Sequence, residues 1–190
     1  MRRLAVLLSA LLLCAACSEP PQKEIDRAQG AIDAARAAGA ERYATTEFTA
    51  ATTSLQQAHD AVTQGDYRTA LSRALNANER AQEAARQAAD GKAKSRAEAE
   101  VGLTAATTAL QQLQTSIKAA EPRLAAAQLA PARAAAKRIE GNLQEARAHI
   151  TAGRYPEASA ALKNVIPAVN EQIRSLTDSA SKARPQRKRR

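Results

Sequence analysis

The sequence predicts an all-α protein: an elongated helical bundle, organised as two tandem three-helix repeats. Three observations lead there. Apolar residues recur at 3-4-3-4 spacing along almost the whole chain, which is helical and not strand periodicity. Alanine supplies much of the apolar content, while the aromatics are only Tyr43, Phe48, Tyr67 and Tyr155, with no Trp. Such side chains fill no deep globular core, but they let long helices approach closely. Third, a stretch in the first half returns 88 residues later in the second.

The elements follow in order. Residues 17–21 read as a tether, because Pro20-Pro21 resists helix entry. A first helix is predicted over 22–38, ending at Gly39, a suitable residue for a left-handed C-terminal stop. A second covers 45–64, with Phe48, Ala51, Leu55, Ala58 and Val62 on one face. Gly65-Asp66 forms a tight turn, and a third helix starts near Tyr67 with Leu71, Ala74, Ala81, Ala85 and Ala88 as its stripe. Asn78 interrupts that stripe, so looser packing is expected there. These residues make up repeat one, 22–90. Residues 91–102 are a helical joint: Gly91 and Gly102 each disfavour helix by about 1 kcal/mol relative to Ala, but KAKSRAEAEV between them favours it.

Repeat two spans 103–180. Leu103, Ala106, Leu110, Leu113 and Ile117 form the next inner face, closed by Pro122. A helix beginning near Pro131 carries Ala132, Ala136, Ile139, Leu143, Ala146 and Ile150 inward. Gly153-Arg154 turns the chain, and the last helix runs over 155–179 through Ala158, Leu162, Val165, Val169, Ile173 and Leu176. Pro167 should kink or split it. Residues 181–190 are charged, contain Pro185 and are read as a disordered basic tail.

The repeat itself aligns LQQAHDAVTQGDYRTA (55–70) with LQEARAHITAGRYPEA (143–158). The match includes Gly65 with Gly153 and Tyr67 with Tyr155. Glycine permits the positive φ at which a helix stops, and the tyrosine can pack over the preceding helix's last turn. Gly65, Tyr67, Gly153 and Tyr155 are therefore read as structural turn residues.

AIDAARAAGAERYATTEF, followed by LQQAHDAVTQGDYRTALSRAL, resembles a family of bacterial envelope helical domains known as "domain of unknown function" four-three-nine-eight. The similarity lies in the Gly39-Ala40…Tyr43-Ala44 junction, the Ala/Leu pattern and the G-x-Y turn. It covers 22–90 well and 103–176 less well. Thr45 stands where members usually have Pro. The resemblance implies an envelope role, since members are often lipoproteins and some are fused to OmpA-like peptidoglycan-binding domains. It implies no catalytic residue. The spacing around the G-x-Y turn is also similar to tetratricopeptide hairpins, but an 88-residue offset is not a multiple of their 34-residue period.

The N-terminus, MRRLAVLLSALLLCAAC, has the layout of a secretory signal peptide over 1–16: Arg2 and Arg3, then an apolar run from Leu4 to Leu13. That run is too short for a permanent membrane span. Ala15-Ala16-Cys17 resembles the lipobox of bacterial lipoproteins, with Cys14 where the pattern usually has Leu. Cys17 is the expected lipidation site. The alternative is ordinary cleavage after Ala16, which would release a soluble periplasmic protein. By resemblance to lipoprotein sorting, Ser18 in place of Asp favours the periplasmic face of the outer membrane.

Residues for chemistry are sparse. His59 and His149 lack a Cys or second His at ligand spacing, so no metal or other cofactor is expected. The glycines at 91, 102 and 141 are isolated, with no phosphate loop, and no serine sits in a nucleophile motif. Asp60, Asp66, Glu79 and Glu83 are interspersed with arginines, as on solvated helix faces. The chain reads as a non-enzyme. Its net charge of +9 is terminal: of 28 basic residues two are Arg2 and Arg3 and six are Lys182, Arg184, Arg187, Lys188, Arg189 and Arg190, leaving 20 against 19 acidic ones. An export signal removes nucleic acid as the partner of those six, but leaves lipopolysaccharide, anionic headgroups and peptidoglycan carboxylates. The expected role is a lipid-anchored structural or scaffolding module, with peptidoglycan, lipopolysaccharide or an OmpA-like protein as partner. A periplasmic small-ligand binding module and a soluble tetratricopeptide-like adaptor are the alternatives.

Overall fold

The computed structural model describes residues 19–183, and all regular structure among them is helical. The elements are α1 (Gln22–Ala38), α2 (Ala40–Tyr43), α3 (Thr45–Thr63), α4 (Tyr67–Ala120), α5 (Ala126–Thr151), α6 (Tyr155–Leu162) and α7 (Val165–Lys182). The all-α expectation holds. The chain divides into two compact units, with the break between Gly91 and Lys92. The residues read as a joint lie in α4, which is helical without interruption.

In the first unit α1 buries Ile25, Ala28, Ile32 and Ala35, one residue per turn on one side. It stops where expected. Gly39 takes φ 92°, and its N–H bonds the Arg36 carbonyl at 2.9 Å. The short α2 was not anticipated. It fills the step to α3, where the Thr45 hydroxyl bonds the Glu41 carbonyl at 3.0 Å. Helix α3 buries Phe48, Ala51, Leu55 and Ala58, as its spacing predicts, together with Ser54 and Ala61.

The stripe of α4 differs from the expected one. Ala70, Ala74, Ala77, Ala81, Ala84 and Ala88 are buried, whereas Leu71 is 39% and Leu75 50% exposed. The inward face is thus a row of methyl groups, and the leucines beside it face outward. Ala77 continues the row past Asn78, so the anticipated interruption is absent. The physical reason is distance: helix separation follows side-chain size at the contact, and an unbroken alanine row allows a closer approach than one containing Leu71. Gly91 marks the same tightness, since a Cβ there would lie 3.1 Å from Tyr43 Cβ and 3.2 Å from its carbonyl oxygen.

The second unit has larger core residues. Leu110, Leu113 and Ile117 of α4 meet Leu129, Ile139 and Leu143 of α5 and Val165, Val169 and Leu176 of α7. Pro122 lies in the turn after α4, as predicted. Helix α5 starts five residues before Pro131, not at it. The true start is Ala125, extended at ψ 154°, whose N–H bonds Gln128 Oε1 at 3.0 Å. Pro131 inside the helix deprives the Ala127 carbonyl of its usual donor, and Ala127 is exposed, so water can take that place. Pro167 splits the last helix as expected. The break falls at Lys163–Asn164, because a proline ring clashes with the carbonyl four residues back, here Lys163. Ser181 and Lys182, read as the start of the tail, instead finish α7.

Candidate functional site

The two G-x-Y turns are built alike. At the first, Gly65 has φ 73°, its N–H bonds the Val62 carbonyl at 3.0 Å, and Asp66 N–H reaches the Ala61 carbonyl at 2.9 Å. At the second, Gly153 has φ 70°, its N–H bonds Ile150 at 3.0 Å, and Arg154 N–H reaches His149 at 2.8 Å. Each pair of bonds closes a helix by satisfying its last carbonyls. Tyr155 is half-buried and packs on the second core; Tyr67 is half-buried.

The turns differ in what begins the next helix. Asp66 Oδ1 accepts the Thr69 N–H at 3.0 Å, so it caps α4. Thr69, through side chain and backbone, holds the Asp66 carboxyl below the usual carboxylate range. Its counterpart Arg154 caps nothing; its Nε donates to His149 Nδ1 at 3.1 Å.

Several polar side chains join one helix to another. Ser54, 6% exposed, donates to Asn76 Oδ1 at 2.8 Å, which also accepts from Arg80 Nε at 3.1 Å, and Arg80 pairs with Glu47 at 2.9 Å. That chain ties α3 to α4. Arg36 lies 5.4 Å from the Phe48 ring centre and pairs with Asp33 and Glu41, and the Glu41 hydrogen bond raises its pKa. His149 Nε2 is 3.6 Å from Glu145, while His59 is exposed. Among the described residues no three His, Cys, Asp or Glu side chains gather as a metal site, and no helix is long and apolar enough to cross a membrane.

Cys17 lies outside the described residues, as do Arg184, Arg187, Lys188, Arg189 and Arg190. Lys182 is the last residue of α7. Close to it the ends of α4 and α7 flank an open groove of about 350 Å³, lined by Ser116, Ala119, Ala120, Arg123, Leu176, Thr177, Ala180 and Ser181. Sequence reasoning missed this feature, because residues some 60 positions apart create it and neither segment carries a motif. The three hydroxyls donate to carbonyls of their own helices: Ser116 to Gln112, Thr177 to Ile173 and Ser181 to Asp178. Arg123 is exposed and forms no ion pair among the described residues, so it is the groove's available donor.

The geometry defines an all-α protein in which a polar chain from buried Ser54 joins two helices and one of several open grooves carries Arg123. Residues 23–100 match the family described as Domain of unknown function (DUF4398). The family resemblance read from the Gly39–Tyr43 junction is thereby shown for that stretch; residues 103–176 lie beyond the matched range, apart from the shared helical character. No curated protein and no solved structure matches the chain.

Proposed function

We propose that this protein is a lipid-anchored helical module with a structural or scaffolding role in the bacterial cell envelope, held by Cys17 at the periplasmic face of the outer membrane. One observation carries the reading: a basic, then apolar, export-type leader runs into Ala15-Ala16-Cys17, five residues before α1 begins. Two features support the scaffold part. Residues 23–100 match a helical domain family, and the Ser54–Asn76–Arg80–Glu47 chain joins α3 to α4. The proposal includes no catalytic step and no cofactor. Its partners are the membrane, through the acyl group, and an envelope component such as peptidoglycan, lipopolysaccharide or an OmpA-like protein.

Mass spectrometry of the N-terminal peptide tests the anchor. Acyl mass on Cys17, and its loss together with membrane fractionation in a Cys17→Ser variant, is the expected result. Equal fractionation of variant and parent, with an unmodified peptide, would sink it and leave a soluble periplasmic protein cleaved after Ala16. Crosslinking in intact cells should then capture a defined envelope partner; a partner-free pattern equal to a lipid-only control would retire the scaffold role.

A further inference from the structure

We propose that the second unit holds a binding site for a small amino-carboxylate in a groove of about 320 Å³ between α5 and the start of α7. Arg138 takes the carboxylate, and the side-chain amides of Asn142 and Asn164 take the N–H donors. The counterpart place in the first unit shows what the groove lacks. The offset of 88 that aligns the two G-x-Y turns sets Glu47, Ser54, Asn76 and Arg80 against Ala135, Asn142, Asn164 and Ala168. In the first unit those four side chains form the chain that spans α3 and α4. In the second the asparagine is the same, but alanine stands for both the arginine and the carboxylate, and all four counterparts line the groove. A closed polar chain in one unit thus corresponds to an open groove in the other.

The polar groups of the groove are uncommitted. Asn142 and Asn164 make no side-chain hydrogen bond among the described residues, and Asn164, although it immediately precedes α7, does not cap it. Arg138, set against Ala50 by the same offset, adds a guanidinium that the first unit lacks at that place. It forms no ion pair among the described residues, and no carboxylate lines the groove. The ligand class follows from these groups. A guanidinium takes a carboxylate through two parallel bonds. Asn164 Oδ1 stands in for the Asn76 oxygen that accepts from Arg80 Nε at 3.1 Å, so it calls for an N–H donor. A bare anion would satisfy Arg138 and leave the amide oxygens unpaired, whereas a carboxylate beside an amino group meets both. Buried Ile139 and Val165 give the groove an apolar part for a short side chain, and its volume is at the small end of the range for ligand pockets.

The test is NMR titration of the processed chain, residues 17–190 with Cys17→Ser, with L-alanine, L-glutamate and L-arginine, and with acetate and inorganic phosphate for comparison. At least one amino acid should shift the side-chain amide signals of Asn142 and Asn164 saturably while those of Asn76 stay in place. Acetate, lacking the N–H donor, should bind about tenfold more weakly. Arg138→Ala should weaken amino-acid binding by about tenfold or more. It should keep the parent melting temperature, since Arg138 is exposed, so its effect is separable from unfolding. Ala168→Leu, which puts a side chain where the first unit has Arg80, should abolish binding. No movement of either asparagine with any of the three amino acids would overturn the site, and so would equal binding by Arg138→Ala and the parent. Acetate or phosphate binding as tightly as the amino acids would mean a simple anion site and overturn the ligand class. The site is independent of the acyl group, so its failure leaves the Cys17 anchor standing.

Discussion

Asp66 and Arg154 occupy matching places after matching glycines, yet only the aspartate caps its helix. Asp66→Ala should therefore lower the unfolding midpoint, and Arg154→Asp should raise it, read by thermal or urea unfolding. The Asp66 carboxyl titrates below its ordinary value when folded. A depressed folded pKa adds stability that is complete above the unfolded value and is lost as pH falls below about 4 through the folded pKa. Asp66→Asn keeps a capping oxygen without the charge, so it should flatten that acid limb; an unchanged acid profile would count against this role. Glycine gives a second pair. Gly141 is inside α5 with open space around a would-be Cβ, so Gly141→Ala should stabilise by about 0.5–1 kcal/mol. Gly91 is inside α4, but its Cβ would press on Tyr43 backbone and Cβ, so Gly91→Ala should lower the melting temperature despite the better helix propensity.

At the scale of elements, the two internal prolines act differently. Pro167 coincides with a break, because Lys163 and Asn164 leave the helix four and three residues before it. Pro131 causes no break, since the carbonyl it leaves unpaired is exposed. Pro131→Ala should restore that bond and raise stability, by at most about 3 kcal/mol; a lower melting temperature would show that the proline is needed for entry into α5. Most helix ends were legible in the residues, because Gly39, Gly65, Gly153 and Pro122 act locally. The start of α5 was not: its signal is the Gln128 bond to Ala125, in a run of alanines where Pro131 looked the stronger mark. The face of α4 was not legible either. Leu71 is the more hydrophobic residue, but Ala70 fits where the backbones come close.

On the scale of the whole molecule, the two core clusters share no residue. Leu113 is fully buried in the second, and Leu113→Ala should cost about 2–5 kcal/mol. Phe48 is the largest side chain of the first core, and Phe48→Ala should cost about 3–5 kcal/mol and also remove the ring beneath Arg36. Amide exchange distinguishes them. Leu113→Ala should lower protection most in α5 and α7, and Phe48→Ala most in α1 and α3. Equal loss everywhere in both variants would mean one cooperative unit.

By itself the sequence determined the helical class, the glycine stops and the breaks at Pro122 and Pro167. These are local effects: a period of 3.6, a positive φ and a missing N–H need no partner to be read. Only the tertiary structure decided that α4 turns alanines inward and leucines out, that Gly91 makes room for Tyr43, and that the ends of α4 and α7 flank a groove beside Arg123. Each of those depends on how close two helices come, and that distance is set by the pair, not by either helix alone.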